Sequence, residues 1–494
     1  MSTKIHRFGL FVLGAIGSLA VVGCGGGGSS TPPPPPPAVP SISNINNSTT
    51  PTGPVNLAIG INGSGFQAAP GQVIFTQGSI SATVTPAAGG WSNTSIVAVV
   101  PNGNGTTNFT APGTVTVTVK TSGGTSNGVT LNLVQTSNFS ANNVTWTTTT
   151  PLPSPLAGLR AVAVQSSNTS AFVIVAGGFN GTANVSTVYT NTLAQDGTLG
   201  ATWTISSNPL PSTLAHFGMV EANAQNSLVP ANSHFIYAIG GQVNRSDTPG
   251  GTNTVYVASV DQTNGTVGTW KSLTSTPLPD SLTGPAVTVY NGFIYVAGGL
   301  TPQQTPTTDV FSAPINSDGT LGSWTKSTNA LPLAISFATT FGFGGNLYVL
   351  NGDPNGSSDP NQSATVGLQD VRLAPANNGA VGTWALTNTT IKKRKKNNTW
   401  VAFGQVIDAE GIYDGNPGAV ELERSTINPD GTLASWNGIS PANLQINANV
   451  FNAASFVSPL LSAAGNPRFL LLGGETFSAA PGVPTALVYL NTAP

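Results

Sequence analysis

A turn ending in tryptophan constrains this 494-residue chain more than any other feature. Asp196-Gly-Thr-Leu-Gly-Ala-Thr-Trp203, Asn264-Gly-Thr-Val-Gly-Thr-Trp270, Asp318-Gly-Thr-Leu-Gly-Ser-Trp324, Asn378-Gly-Ala-Val-Gly-Thr-Trp384 and Asp430-Gly-Thr-Leu-Ala-Ser-Trp436 are copies of it, their successive tryptophans 67, 54, 60 and 52 residues apart. Self-similarity at this period marks a propeller or an array of repeated units. Asp-Gly and Asn-Gly supply the positive φ angles of a tight hairpin, so each copy predicts a strand, a turn and a second strand that carries its tryptophan inward.

Two further words accompany each turn. An aliphatic strand ends in a glycine pair in Phe172-Val-Ile-Val-Ala-Gly177-Gly178, Phe235-Ile-Tyr-Ala-Ile-Gly240-Gly241, Phe293-Ile-Tyr-Val-Ala-Gly298-Gly299 and Phe469-Leu-Leu-Leu-Gly473-Gly474. A strand such as Val188-Tyr189, Val255-Tyr256 or Val310-Phe311 then leads into the turn, and a Leu-Pro linker opens the next unit. Two units depart from the pattern: the fourth has Asn351-Gly352, and the fifth has Asp414-Gly415 with Glu423 where the aromatic is expected. Six such positions predict six blades. Val144-Thr-Trp146 at the start of the region is expected to supply the missing outer strand of the last blade, which removes an open sheet edge.

This order of words resembles the kelch repeat, a four-stranded propeller blade marked by a glycine pair, an aromatic and a tryptophan. The resemblance covers residues 140–494 and implies a kelch-type β-propeller. Copper-radical oxidases on kelch propellers need a tyrosine–cysteine crosslink, and residues 140–494 contain no cysteine, so that activity is excluded. A sialate-epimerase-like activity, also found on such propellers, would need Arg and Glu converging in the channel. The candidates outside the basic run are Arg160, Arg245, Arg372, Arg424 and Arg468.

Charge is scarce: 6% of residues, against about 25% in an ordinary soluble protein. Glycine, proline, serine, threonine and asparagine take the surface positions instead, which suits an extracytoplasmic all-β protein. A formal net charge of −2 gives no general attraction to nucleic acid.

At the N-terminus Lys4 and Arg7 precede an apolar run from Phe8 to Leu19, as in a signal peptide over residues 1–23. Val21-Val22-Gly23-Cys24 resembles the lipobox of bacterial lipoproteins, which implies that Cys24, the only cysteine, is lipidated and anchors the protein to the membrane. With Gly25 next, the expected address is the cell envelope, and the outer membrane if the cell is Gram-negative. Residues 24–39 form a Gly/Ser/Pro linker, whose Pro32–Pro37 run in polyproline II extends roughly 3.1 Å per residue, a standoff of about 20 Å.

Residues 40–135 alternate short strands with Gly, Pro and Asn clusters, as in a β-sandwich. Ile61-Asn-Gly-Ser-Gly65-Phe66, Val73-Ile-Phe75, Trp91-Ser-Asn-Thr-Ser-Ile96 and Gly113-Thr-Val-Thr-Val117 resemble the IPT/TIG family of immunoglobulin-like domains, which implies a spacer or binding module. Trp91 is expected in its core or at its edge. Residues 8–195 contain neither Asp nor Glu, so carboxylate acid–base work is unavailable there.

Among candidate site residues, Lys392, Lys393, Arg394, Lys395 and Lys396 replace a Leu-Pro linker, and residues 392–430 hold twelve of the chain's thirty-two formal charges. The run is read either as a solvated loop or as a contact for an anionic ligand. Asp353, Asn355 and Asp359 place oxygens at alternating positions, loosely like a calcium loop, but without the closing bidentate glutamate. Calcium is the one cofactor this allows, and a polar turn is the simpler reading. His216 is placed near the channel and His234 at the surface. No catalytic set emerges. The sequence therefore predicts an all-β protein, an immunoglobulin-like β-sandwich followed by a six-bladed kelch-type propeller. Its expected role is a lipid-anchored envelope protein that binds protein or glycan, not nucleic acid; the alternatives are a carbohydrate-active enzyme with charged residues in the propeller channel and a structural envelope component.

Overall fold

Valine, isoleucine and threonine alternate with small and polar residues between glycine turns throughout the chain, and that pattern forms strands. The computed structural model describes residues 35–134 and 145–491, apart from 47, 49, 87–89, 228, 231, 245–249, 356–370, 387–392, 410, 414–421, 440–449, 463–464 and 477–482. Among the described residues the fold is all-β, made of small and mainly antiparallel sheets, with no α-helix. Cys24 and the signal and linker residues up to 34 lie outside the described residues, as do Asp414-Gly415.

Residues 41–134 form two sheets. One orders Ser41–Ile45, Ala58–Ser64 and Ser95–Val99; the other orders Thr52–Pro54, Val129–Val134, Gly113–Thr121, Gln72–Gln77 and Ile80–Val84. Their apolar residues share one core, which includes Ile59, Ile61, Val73, Phe75, Val117 and Leu131. Gly65, at φ +70°, turns the chain so that Phe66 enters this core fully buried. Trp91 is buried beside it, and its indole N–H donates to the carbonyls of Phe66 (3.2 Å) and Gln67 (3.1 Å).

Six sheets of four or five strands follow in chain order, each running from a first to a fourth strand. Their first strands are Arg160–Gln165, Gly218–Ala222, Ala286–Tyr290, Thr339–Phe343, Asn398–Ala402 and Ala454–Val457. Each of these lies against the first strand of the next sheet, and the sixth lies against the first, so the six sheets form a cycle. The cycle is closed by strand pairing out of chain order. Trp146–Thr148, from the start of the region, pairs antiparallel with Val488–Asn491 at its end and becomes the fourth strand of the sixth sheet. Trp146 is fully buried against Trp400, with ring centroids 5.3 Å apart.

The repeated words join one sheet to the next. In the glycine pairs the second N–H donates to the linker entering the next sheet: Gly178 to Leu214, Gly241 to Leu282, Gly299 to Ile335, Gly352 to Arg394 and Gly474 to Leu156. The Asp-Gly turns do the same from the other end. The hydroxyl of Tyr237 donates to the Gly319 carbonyl (2.8 Å) and that of Tyr348 to Gly431 (2.6 Å), each reaching into the following sheet. Asp318 and Asp430 accept from the hydroxyls of Thr320 (2.6 Å) and Thr432 (2.7 Å) and from their backbone N–H groups, Asp196 accepts from the Thr198 N–H, and these bonds lower the carboxylate pKa values.

At the linker end, two residues before each first strand, the backbone makes a closed circuit. His216 N–H donates to the Gly158 carbonyl (2.8 Å), Gly284 to His216 (2.8 Å), Phe337 to Gly284 (2.8 Å), Lys396 to Phe337 (3.2 Å), Asn452 to Lys396 (3.3 Å) and Gly158 to Asn452 (2.8 Å). All six residues are left-handed, with φ between 51° and 61°. Four of the six are not glycine, and a left-handed backbone costs such residues roughly 1–2 kcal/mol each; the bonds of the circuit oppose that cost by satisfying backbone groups turned away from water.

The opposite end of the cycle meets the two-sheet unit. Ser95 Oγ lies 2.8 Å from the Tyr290 hydroxyl, which also accepts the Gly345 N–H (2.6 Å). From Ser95 the bonds continue through Asn62 (2.9 Å) and Asn44 (2.9 Å) to the Gln225 carbonyl, which accepts from Asn44 Nδ2. The approach is close enough to require Gly344, at φ +56°, because a Cβ there would lie 1.6 Å from a Val97 methyl.

Candidate functional site

The six first strands surround a cavity of about 580 Å³. At one end its wall includes Gly284, Phe337, Lys396 and Asn452 of the backbone circuit; at the other it includes Asn46, Thr52 and Asn62 of the two-sheet unit. Between them the strands contribute Gln165, Thr288, Thr340 and Thr399 and the aromatic rings of Phe341 and Phe343, and the turn after Gly218–Ala222 adds the amides of Asn223 and Asn226. Such a surface combines hydrogen-bonding groups in both senses with apolar faces.

Ionisable groups on this wall are few. Arg160 opens the first strand of the first sheet, where the other five begin with Gly218, Ala286, Thr339, Asn398 and Ala454. Its accessible surface opens onto the cavity, and loss of bulk solvation pulls its pKa down to about 10, so it stays charged at neutral pH. One bond is formed by the guanidinium, from Nη1 to the carbonyl of its neighbour Leu159 (2.9 Å). Glu221 lines the same cavity but is engaged: Oε1 lies 2.6 Å from His234 Nδ1, and Oε2 accepts from Asn223 Nδ2 at 2.8 Å. Lys396 places its ammonium 4.7 Å from the centre of the Phe337 ring, a cation–π contact.

His234 is buried rather than at the surface, because Glu221 and Gln262 (Oε1 2.9 Å from Nε2) together take both ring nitrogens. Burial opposes its charge, but the hydrogen bond and charge of Glu221 with the bond to Gln262 outweigh it and raise its pKa. His216 is also buried, edge-on to Phe337 with centroids 5.4 Å apart, and its ring occupies the space left by the absent side chain of Gly158.

The basic run is divided. Lys392 lies outside the described residues and Lys393 is exposed, whereas Arg394, Lys395 and Lys396 are buried. Arg394 sits where the other linkers place Leu156, Leu214, Leu282, Ile335 and Val450, and it meets Glu423 (Nη2 to Oε2 3.2 Å) and Asp408 (Nε to Oδ2 3.5 Å). Asp408 in turn accepts from Asn397, Thr399 (2.9 Å) and Asn351 (3.0 Å). Asn351 stands at the first glycine position of the fourth unit, at φ 57°, and asparagine is among the few side chains that tolerate this conformation. Burial raises the Asp408 pKa to about 6, against the opposing pull of Arg394 and these bonds.

Of the calcium candidates Asp353, Asn355 and Asp359, the first two fall among the described residues. Asp353 is buried with Oδ2 on Lys395 Nζ (2.8 Å) and Oδ1 on the Asn355 N–H (2.9 Å), Asn355 is exposed, and Asp359 lies outside the described residues. Among the described residues no three His, Cys, Asp or Glu side chains cluster as metal ligands.

Sequence reasoning named Arg160 only as one of several arginines and did not single out Glu221. A signal for Arg160 was present: it follows the Leu-Pro linker at the spacing where other units carry small or neutral residues. Glu221 had no comparable signal, since its partner His234 is distant in sequence. No protein-family model matches the chain, and comparison with curated proteins found no match.

Proposed function

We propose that this is a lipid-anchored cell-envelope protein whose six-sheet cycle is a kelch-like propeller and whose enclosed cavity binds a glycan. The cavity carries the reading: it is about 580 Å³, within the range of small-molecule sites, and its polar groups are chiefly amides and hydroxyls interleaved with aromatic rings. Sugars present that same combination of hydroxyls and apolar ring faces. The cyclic order of the first strands and the pairing of Trp146–Thr148 with Val488–Asn491 support the propeller reading. The lipobox-like run ending at Cys24 supports the anchor, and the sandwich would be the IPT/TIG-like unit that covers one end of the cavity.

A carbohydrate-active enzyme is the second reading, favoured by Arg160 and Glu221 on one wall. Binding is preferred because glycoside hydrolysis ordinarily uses two carboxylates, and Glu221 is the only one among the described residues lining the cavity. Glycan-array screening of the lipid-free mature chain tests the proposal. Binding to sugars that is lost when Thr288 on the cavity wall is replaced by valine supports it; recognition of proteins alone, or of no glycan, overturns it.

A further inference from the structure

We infer that the ligand of this cavity carries a carboxylate, and that Arg160 is the residue that receives it; the inference rests on the glycan reading and narrows it to acidic sugars.

A guanidinium has five N–H donors in a planar fork. Arg160 uses Nη1 on the Leu159 carbonyl and has no carboxylate partner among the described residues. The contrast with Arg394 is direct. That guanidinium, fully buried where Arg160 is half-buried on the cavity wall, is met by Asp408 and Glu423. A charge withdrawn from water without a partner is costly, and the usual resolution is a counter-charge with matched hydrogen bonds.

The wall does not supply that counter-charge. Its carboxylate, Glu221, is already matched by His234 and by Asn223. Lys396 adds a second cation to the lining. On either side of Arg160 the neighbouring first strands begin with Gly218, against which Val287 packs, and Ala454, so neither supplies a charged group. A carboxylate fits that fork with two parallel N–H···O bonds, stronger than neutral hydrogen bonds and specific in geometry. The remaining amides and hydroxyls then meet the uncharged part of the ligand. A uronic acid, alone or at the end of a short oligosaccharide, has both parts.

Calorimetric titration of the lipid-free mature chain with matched ligands tests this: glucose against glucuronate, galactose against galacturonate, and glucose 6-phosphate as the alternative anion. The expected result is at least tenfold tighter binding of a uronate than of its neutral parent, about 1.4 kcal/mol. Arg160→Gln should abolish that preference and Arg160→Lys should retain part of it, since a lysine keeps the charge but loses the fork. Should Arg160→Gln fail to fold, the wild-type comparison and Arg160→Lys still decide. Equal binding of neutral and acidic sugars overturns the inference and leaves the glycan reading standing, as does a preference for glucose 6-phosphate over both uronates. Binding of none of these sugars, with glycan arrays also blank, overturns both.

Discussion

Arg394, from the linker entering the fifth sheet, meets Glu423 of that sheet, Nη2 to Oε2 at 3.2 Å, in places where sibling units put an aliphatic residue such as Leu214 and an aromatic such as Tyr256. Asp408 completes the exchange, facing Glu423 across the strand ladder where the second sheet has Ala238 opposite Tyr256. Three charged residues thus stand together in positions that carry aliphatic, alanine or aromatic residues in the first, second, third and sixth sheets, while the fourth has Arg372 in the register of Glu423.

Removing one member should be worse than removing all. Arg394→Leu leaves two buried carboxylates without their cation and should cost about 3–5 kcal/mol. The triple variant Arg394→Leu, Asp408→Val, Glu423→Tyr, which restores sibling chemistry, should recover most of that loss. Urea unfolding of the two variants checks the order; equal destabilisation would contradict it.

Acidity should act through Asp408. Its folded pKa, about 6, lies above the ordinary carboxylate value near 3.8, so the folded state gains relative stability as the carboxyl takes up a proton. That contribution is complete below the ordinary value and is lost as pH rises through 6. The full difference corresponds to about 3 kcal/mol. Stability measured from pH 8 to pH 4 should rise on acidification more in the wild type than in Asp408→Asn, and parallel curves would remove Asp408 as the source.

Closure of the cycle should depend on Trp146. The side chain is fully buried against Trp400, and a tryptophan-to-alanine change in such a place costs about 3–5 kcal/mol. Deleting residues 145–149 adds an unpaired edge at Val488–Asn491 and should lower thermal stability further. Unchanged melting after the deletion would refute a closing role for this strand.

The backbone circuit should be intolerant at Gly284. A Cβ there would lie 2.6 Å from the Phe337 ring, and φ is +60°, so Gly284→Ala meets both a clash and an unfavourable backbone. A loss of about 1–3 kcal/mol is expected. Gly292, at φ +82° with open space around its Cβ position, is the control: Gly292→Ala incurs the backbone term alone and should cost less. Denaturant unfolding of the pair separates the clash from the strain.

Much of the architecture was legible because its causes are local. Asp318-Gly319 specifies a hairpin, Gly298-Gly299 a sharp left-handed turn, and alternation such as Val115 to Val119 a half-buried strand, each within a few residues. The recurrence of those words set the number of sheets, and the lone Trp146 implied a strand in need of a partner. Tertiary structure decided what the charged residues do, because burial and pairing depend on groups far apart in the chain. The basic run read as a surface feature, yet Arg394 and Lys395 turn inward to Glu423 and Asp353, which stand 29 and 42 residues away. His234 read as exposed until Glu221 and Gln262 enclosed it. Arg160 became distinctive only when six strand starts came together around one cavity whose carboxylate among the described residues, Glu221, is already bonded to His234 and Asn223. Local propensity writes the strands and turns into the sequence; the electrostatic role of a side chain is settled by which distant groups share its space.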